Sequence, residues 1–278
     1  MAQDTRLVLL GTGTPNAEPN RSGPSVAIVS GDNAFVIDLG PGVVRRAVAA
    51  WQAGVAALEP SRLRHAFVTH LHSDHTAGLA DFLLTPWVLG RAETVQVYGP
   101  PGVKAMTEHV LAAYEQDIEQ RRKGLEPAND SGWTAAVHEV KTGVVYQDAG
   151  LTVEALPVEH GSWQAFGYRF RAKDRTIVIS GDTAPTDTII KAATGCDILL
   201  HEVYSAVGFA TLSRSWQEYH SKVHTSAEEL GRIASEARPK LLVLYHQLRW
   251  GVSENDLVAE IGRVYDGPVS SGRDLEIY

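Results

Sequence analysis

The sequence predicts an α/β fold, and three observations carry that reading. Apolar strand-like runs alternate with amphipathic helical stretches along the chain. The alternation occurs twice, roughly over residues 1–150 and 151–278, with no composition break, linker or short-period repeat between the halves. Metal-ligand residue types stand repeatedly at the ends of the strand-like runs, where a rigid sheet would hold them. At 278 residues and 44% hydrophobic, the chain has ample core material for one domain over 1–278, made of two similar halves.

The elements follow in order. Arg6-Leu7-Val8-Leu9-Leu10 reads as a strand ending in Gly11-Thr12-Gly13-Thr14-Pro15. That turn lacks the Gly-Lys-Ser/Thr element of a phosphate loop and is expected to aim a loop towards the site. Ser25–Val29 and Ala34–Asp38 flank Gly31-Asp32-Asn33, a hairpin signal. Asp38-Leu39-Gly40-Pro41-Gly42 leads into an amphipathic helix, Val43–Ala53. Ala66-Phe67-Val68 is a strand, Gly78–Leu84 a helix packed behind the site, and Val95–Tyr98 a strand. Val103 to about Lys123 is one helix on the 3.6-residue period, with Gly124 as its C-cap. Its end, Arg121-Arg122-Lys123, reads as a solvated terminus favoured by the helix dipole rather than a nucleic-acid patch.

The second half predicts strands at Val144–Gln147, Thr152–Pro157, Ala165–Arg171, Thr176–Ser180, Asp197–His201 and Leu241–Tyr245, with a final one at Asp274–Tyr278. Helices are expected at Asp187–Ala193, Ala227–Ala237 and Glu254–Val264, the second capped by Thr225 or Ser226.

Composition narrows the function classes. No run reaches the 18 or so apolar residues of a membrane helix. Met1-Ala2-Gln3-Asp4-Thr5 has no basic region followed by an apolar stretch, so no secretory signal is expected. The single cysteine, Cys196, forbids an intrachain disulfide and fits a reducing cytoplasm; its place before an apolar run marks it as a small buried hydrophobe. A net charge of −8 argues against a surface built throughout to hold a long polyanion.

The chemistry gathers at Thr69-His70-Leu71-His72-Ser73-Asp74-His75. Strand alternation puts His70 and His72 on one side as neighbouring ligands, and Asp74 and His75 follow in the turn, free to face a second point. Imidazoles with a carboxylate suit zinc and also accept manganese, iron or cobalt. Three more apolar strands end in a ligand type: Leu156–His160 supplies His160, Thr176–Asp182 supplies Asp182, and Leu241–His246 supplies His246. His65, His109 and His220 stand in surface-like contexts, and His138 alternates with apolar residues as a structural histidine.

The motif His70-x-His72-x-Asp74-His75 resembles the signature of the metallo-β-lactamase superfamily, and the later order His160, Asp182, His246 matches it. The resemblance implies a four-layer αββα sandwich holding one or two metals. Gly11-Thr12-Gly13-Thr14-Pro15 and Asp38-x-Gly40 are similar to the ribonuclease Z-like branch. Carried over, His70, His72 and His160 would hold one ion, Asp74, His75 and His246 a second, and Asp182 would bridge them. With one metal only, Asp74 would serve as general base; the complete set of seven ligands favours two. In that branch an acidic residue and a histidine form a proton-donating dyad, which would make Glu202 the orienting group and His224 the general acid.

Two departures bear on substrate. Transfer-RNA-processing members carry a long arm between the residues matching His160 and Asp182, and here only 21 residues separate them. After the last ligand, His246-Gln247-Leu248-Arg249-Trp250 places Arg249 in a shifted register, where it would meet a substrate anion. Extra material lies around Val103–Gly132 and Tyr204–Val223; Tyr114, Trp133, Phe209 and Trp216 are lid candidates there, and Trp87, Trp163 and Trp250 wall candidates. The expectation is a dinuclear hydrolase, zinc being the favoured ion, in which a bridging hydroxide attacks a phosphodiester or related ester of a small molecule. The alternatives are a 3′-tRNA-processing endoribonuclease acting on RNA, a lactone, β-lactam or aryl sulfate ester hydrolase, and a non-catalytic metal-binding module. Family resemblance further implies a homodimer.

Overall fold

Two sheets organise the chain, each in its own compact unit, in a computed structural model that describes residues 4–278. Met1, Ala2 and Gln3, part of the stretch read for a signal, lie outside the described residues. The first unit comprises the chain up to Gly11, Pro15–Val140 and Asp274–Tyr278; the second comprises Thr12–Thr14 and Lys141–Arg273.

In the first unit β1 (Arg6–Gly11), β2 (Ser25–Ser30) and β3 (Asn33–Ile37) run antiparallel, β2 and β3 joined by a two-residue turn with Gly31 at φ 59°. The helix α1 (Val43–Gln52) then crosses to β4 (His65–Phe67), parallel to β3. After β4 come the one-turn α2 (Ser73–Thr76) and α3 (Leu79–Val88), then β5 (Val95–Gly99). The helices α4 (Val103–Ala113) and α5 (Glu115–Lys123) lead to β6 (Ala135–Glu139), completing the order β1-β2-β3-β4-β5-β6. Val36, Ala66 and Val97 of the strands pack with Val44 and Ala47 of α1, Phe82 and Leu83 of α3 and Val103 of α4.

The long helix expected from Val103 to Lys123 is two helices meeting at Tyr114. Glu115 and Asp117 occupy the first turn of α5 and favour a new helix start there. Gly124 ends α5 at φ −91°, outside the left-handed conformation. The basic end of α5 is paired: Arg121 with Asp117 and Glu126, Arg122 with Asp130, Lys123 with Glu119. The expected C-terminal strand is realised as bridges to β1, where the Leu9 N–H donates to Glu276 and that of Leu7 to Tyr278, both at 3.0 Å.

The second unit begins with β7 (Gly143–Gln147) and the long hairpin of β8 (Leu151–His160) and β9 (Trp163–Ala172), followed by β10 (Thr176–Ile179). These four are antiparallel. The helix α6 (Asp187–Ala193) crosses to β11 (Ile198–Tyr204), after which come α7 (Ala206–Phe209), α8 (Arg214–Val223) and α9 (Ala227–Ala237). The strand β12 (Leu241–Leu248), α10 (Glu254–Ile261) and β13 (Val269–Ser271) complete the sheet β13-β12-β11-β10-β9-β8-β7, parallel from β10 to β13. Ser226 caps α9 in a capping box with Glu229. Leu199, Leu242 and Leu244 pack against α6, α9 and α10, and Cys196 joins that core as a buried thiol pushed up to about 12 by burial. No helix among the described residues is long and apolar enough to cross a membrane.

Two buried basic side chains yield predictions. The Arg91 guanidinium, fully enclosed, donates to the carbonyls of Leu63, Phe82, Leu83 and Gly132 and fastens the 129–132 loop. Arg91→Ala strands four carbonyls and should cost about 3 kcal/mol in a urea titration. His201 on β11 is wholly buried, its Nδ1–H donating to the Glu202 carbonyl at 2.6 Å, and burial pushes its imidazole from 6.5 down to about 4. Because the folded value is the lower one, the unfolded chain takes up the extra proton between these values; the stability is present above pH 6.5 and lost as pH falls towards 4. His201→Asn should therefore flatten the loss of stability between pH 7 and pH 5 by about 2 kcal/mol, read from urea midpoints at both values.

Candidate metal and catalytic centre

In the first unit the site residues hang on the ends of β3 and β4. Asp38 follows β3 with φ 59°, a left-handed conformation uncommon outside glycine, and its carboxylate is buried. It accepts from the Thr69 N–H at 2.8 Å, the Thr69 hydroxyl at 2.9 Å and the His75 Nδ1–H at 2.8 Å. The Thr69 oxygen, having spent its proton on Asp38, accepts from His70 Nδ1–H at 3.0 Å. Both histidines thus present Nε2 as the lone-pair nitrogen. His70 Nε2 stands 3.0 Å from His72 Nδ1, and His75 Nε2 stands 3.4 Å from Asp74 Oδ2. The backbone keeps this turn close: a Cβ at Gly78 would come within 2.5 Å of the Gly40 carbonyl.

In the second unit His160 ends β8, and its Nδ1–H donates to the Val223 carbonyl at 2.8 Å, again leaving Nε2. Asp182 follows β10 after Gly181, which turns the chain at φ 63°. His246 lies within β12 rather than beyond its end. Tyr245 pairs with Glu202 and Gln247 with Val203, so His246 is a bulge residue at φ 44°. The bulge turns its ring away from the strand's alternation and sets Nε2 3.5 Å from Asp182 Oδ2. The strand β11 likewise runs on past His201, so Glu202 is an enclosed strand residue.

Glu202 Oε1 accepts from the Thr225 N–H at 2.9 Å and the Thr183 N–H at 3.3 Å, and lies 3.3 Å from His224 Nδ1. Burial, and then the neighbouring Asp182 carboxylate, push Glu202 well above the usual carboxylate range. The donor atoms of His160, Asp182 and His224 lie within 4.8 Å of one another, as do those of Glu202, His224 and His246. Trp163 opposes His160 at the start of β9, half-exposed. Arg249 and Trp250 follow β12, both half-buried, and Trp250 takes φ 45°. A Cβ at Gly208 would meet the Arg249 carbonyl at 2.3 Å, so α7 is seated tightly on that turn.

Three placements differ from expectation. Trp87 is a core residue of the first unit, its Nε1–H donating to the Asn129 carbonyl. His220 is buried, not a surface residue: it stacks on Trp216 at 5.5 Å and stands 4.8 Å from Trp250 and 5.4 Å from His224. Burial pushes its imidazole down to about 4, helped by His224 and His246. The signal was present in the 3.6-residue stripe Trp216, Tyr219, His220, Val223. The third is Asp38, whose signal was a carboxylate at a strand end before Gly40-Pro41-Gly42. Among the lid candidates, Tyr114 and Trp133 belong to the first unit, Trp133 lying under Arg122 at 5.5 Å. Phe209 belongs to the second and stacks on Tyr204 at 4.9 Å.

The donor chemistry in each unit suits a divalent transition metal. Buried imidazoles have one nitrogen tied to a carboxylate, hydroxyl or carbonyl, and the free nitrogens of His70 and His75 face another imidazole and a carboxylate, as in metal-binding histidines.

The family model of the β-lactamase superfamily domain matches residues 33–247. The chain is 38% identical over 253 residues to a protein named ribonuclease Z from Mycobacterium sp. (strain KMS), covering 87% of this chain and 84% of that one. Among solved structures it is similar to the metallo-β-lactamase-fold protein YhfI from Bacillus subtilis, with TM-score 0.74 and 19% identity over 99% of this chain and 100% of that one. It is also similar to the short form of human tRNase Z, with TM-score 0.70 and 21% identity over 98% of each chain. The two structural likenesses are likenesses of fold.

Asp38 holds His75 by its one remaining polar nitrogen, so Asp38→Ala should weaken metal binding roughly 10- to 100-fold in a chelator competition, with the far-ultraviolet spectrum unchanged. Unaltered affinity would leave the carboxylate a purely structural part.

Proposed function

We propose a reaction for a chain that belongs to the β-lactamase superfamily, in its ribonuclease Z-like branch, and is a metal-dependent hydrolase acting on phosphodiester bonds. The proposal assigns His70, His72 and His160 to one divalent ion, Asp74, His75 and His246 to a second, and Asp182 to both. It treats the two units as one catalytic domain. Its support is the order of the seven candidate ligands in the sequence and the presentation of His70, His75 and His160, each within its own unit. Zinc is the favoured ion, with manganese, iron or cobalt accepted by the same donors. When bound, the ions would acidify a water and neutralise charge developing on the phosphoryl oxygens.

The single observation that carries the reaction is the Glu202–His224 pair. With Nδ1 of His224 3.3 Å from Glu202, Nε2 is the nitrogen that can face substrate. As the bond from phosphorus to the leaving oxygen breaks, His224, protonated on both ring nitrogens with Nδ1 facing Glu202, gives its Nε2 proton to that oxygen and is left as the neutral imidazole. Glu202 is itself fixed by two backbone N–H groups, so the dyad needs no rearrangement to act.

A small phosphodiester is the first substrate reading. The β8–β9 hairpin closes in two residues, Gly161 and Ser162, with His160 paired directly to Trp163, so no arm leaves the chain between His160 and β9. The basic end of α5 is neutralised by its own acidic neighbours. RNA is the second reading, favoured by the relative named ribonuclease Z. A cytoplasmic homodimer completes the proposal: the lone buried thiol suits a reducing compartment, and the dimer follows from family resemblance.

The test pairs metal-loaded protein with its His224→Ala variant on bis(p-nitrophenyl) phosphate and on a 3′-extended precursor tRNA. The small diester, with its activated leaving group, should be turned over by both. A diester with an ordinary alcohol leaving group should lose roughly 10²- to 10⁴-fold in the variant. Specific, His224-dependent cleavage of the precursor would make RNA the substrate, and no turnover of any diester would sink the reaction.

A further inference from the structure

One side of α8 carries more aromatic surface than the catalytic dyad accounts for. Trp216, Tyr219, His220 and Val223 form its apolar stripe; the inner pair, His220 and Val223, is buried, whereas Trp216 is 56% and Tyr219 41% exposed. The exposed end is continuous with the dyad, since the Tyr219 ring stands 6.5 Å from that of His224. Trp216 and Tyr219 meet nearly at right angles, 81° with centroids 5.8 Å apart, and form an open corner. The corner is rigid. His220 backs Trp216 at 5.5 Å and 25°, and is itself wedged against Trp250 at 4.8 Å. The Nδ1 atom of His220 is enclosed with no hydrogen-bond partner, so packing alone holds this ring, and its role is to support Trp216.

We propose that the Trp216–Tyr219 corner receives the base of a nucleoside carried on the leaving-group side of the scissile phosphate. Perpendicular rings let a planar group stack on one while meeting the edge of the other. The leaving-group side follows from His224, the proton donor of the proposed reaction, whose ring stands 6.5 Å from that of Tyr219. A nucleoside follows from spacing: the corner lies one ring beyond His224, a gap that a ribose between phosphate and base spans. A phenyl ring joined directly to the leaving oxygen would stay beside His224 itself. The inference deepens the phosphodiester reading and rests on it.

Calorimetric titration of the zinc-loaded protein with adenosine 5′- and 3′-monophosphate, ribose 5-phosphate and phenyl phosphate tests it, because no monophosphate contains the diester bond. An adenosine monophosphate should bind roughly ten- to a hundredfold more tightly than ribose 5-phosphate, with phenyl phosphate close to the latter. Trp216→Ala should remove the adenosine advantage and leave ribose 5-phosphate unchanged; with a dinucleotide, the variant should raise KM and spare kcat. Tyr219→Ala serves as a second variant with the same expectation. Equal binding of adenosine and ribose phosphates, or a variant that weakens both alike, would overturn the subsite. Preferential adenosine binding without cleavage of any diester would uphold the subsite and sink the reaction instead.

Discussion

A buried carboxyl group set against a histidine ring nitrogen is the constraint on which each unit depends. Asp38 takes three donors at once, two from Thr69 and one from His75, and so ties the end of β3 to the end of β4 and to α2. Glu202 takes two backbone donors from Thr183 and Thr225 and faces His224, tying β11 to the segment after β10 and to the entry of α9. A buried carboxyl group is tolerated only where donors compensate it, and both of these gather donors from segments remote in sequence. The same bonds therefore fold the loops, orient His75 and fix the carboxyl group that His224 faces.

Strained backbone marks these places as well. Asp38, His246 and Trp250 all take positive φ without being glycine, and each is a candidate site residue or stands beside one. At His246 the strain has a definite product. The bulge in β12 lets the strand continue for two more residues while its histidine leaves the pleat. Continuation in turn brings Gln247 and Leu248 into pairing with Val203 and Tyr204, which seats the Arg249–Trp250 turn under α7.

Much of this was legible from residue order. The hairpin at Gly31-Asp32, the helices Asp187–Ala193 and Ala227–Ala237, and the strands that lead to His70 and His160 follow from local pattern. What escaped depended on partners far along the chain. Nothing local says that β11 and β12 run past His201 and Tyr245, because their extension is stabilised by pairing with each other. The three-residue β13 exists only against β12, and the burial of His220 needs Trp250, thirty residues on, as well as its helix neighbours. The break at Tyr114 carries no Gly or Pro, and only the acidic start of α5 announces it. Arg91 reads as an ordinary charged residue until the four carbonyls around it are known.

Cys196 has a practical consequence. A thiol that is both buried and pushed up to about 12 carries almost no thiolate at neutral pH, so alkylating and maleimide reagents will pass it by. Since it is the only cysteine of the chain, a second one introduced at a chosen surface position becomes the sole reactive handle without any background to remove. Ser162, exposed at the tip of the β8–β9 hairpin and two residues from His160, is such a position. A spectroscopic label there would report directly on events beside His160.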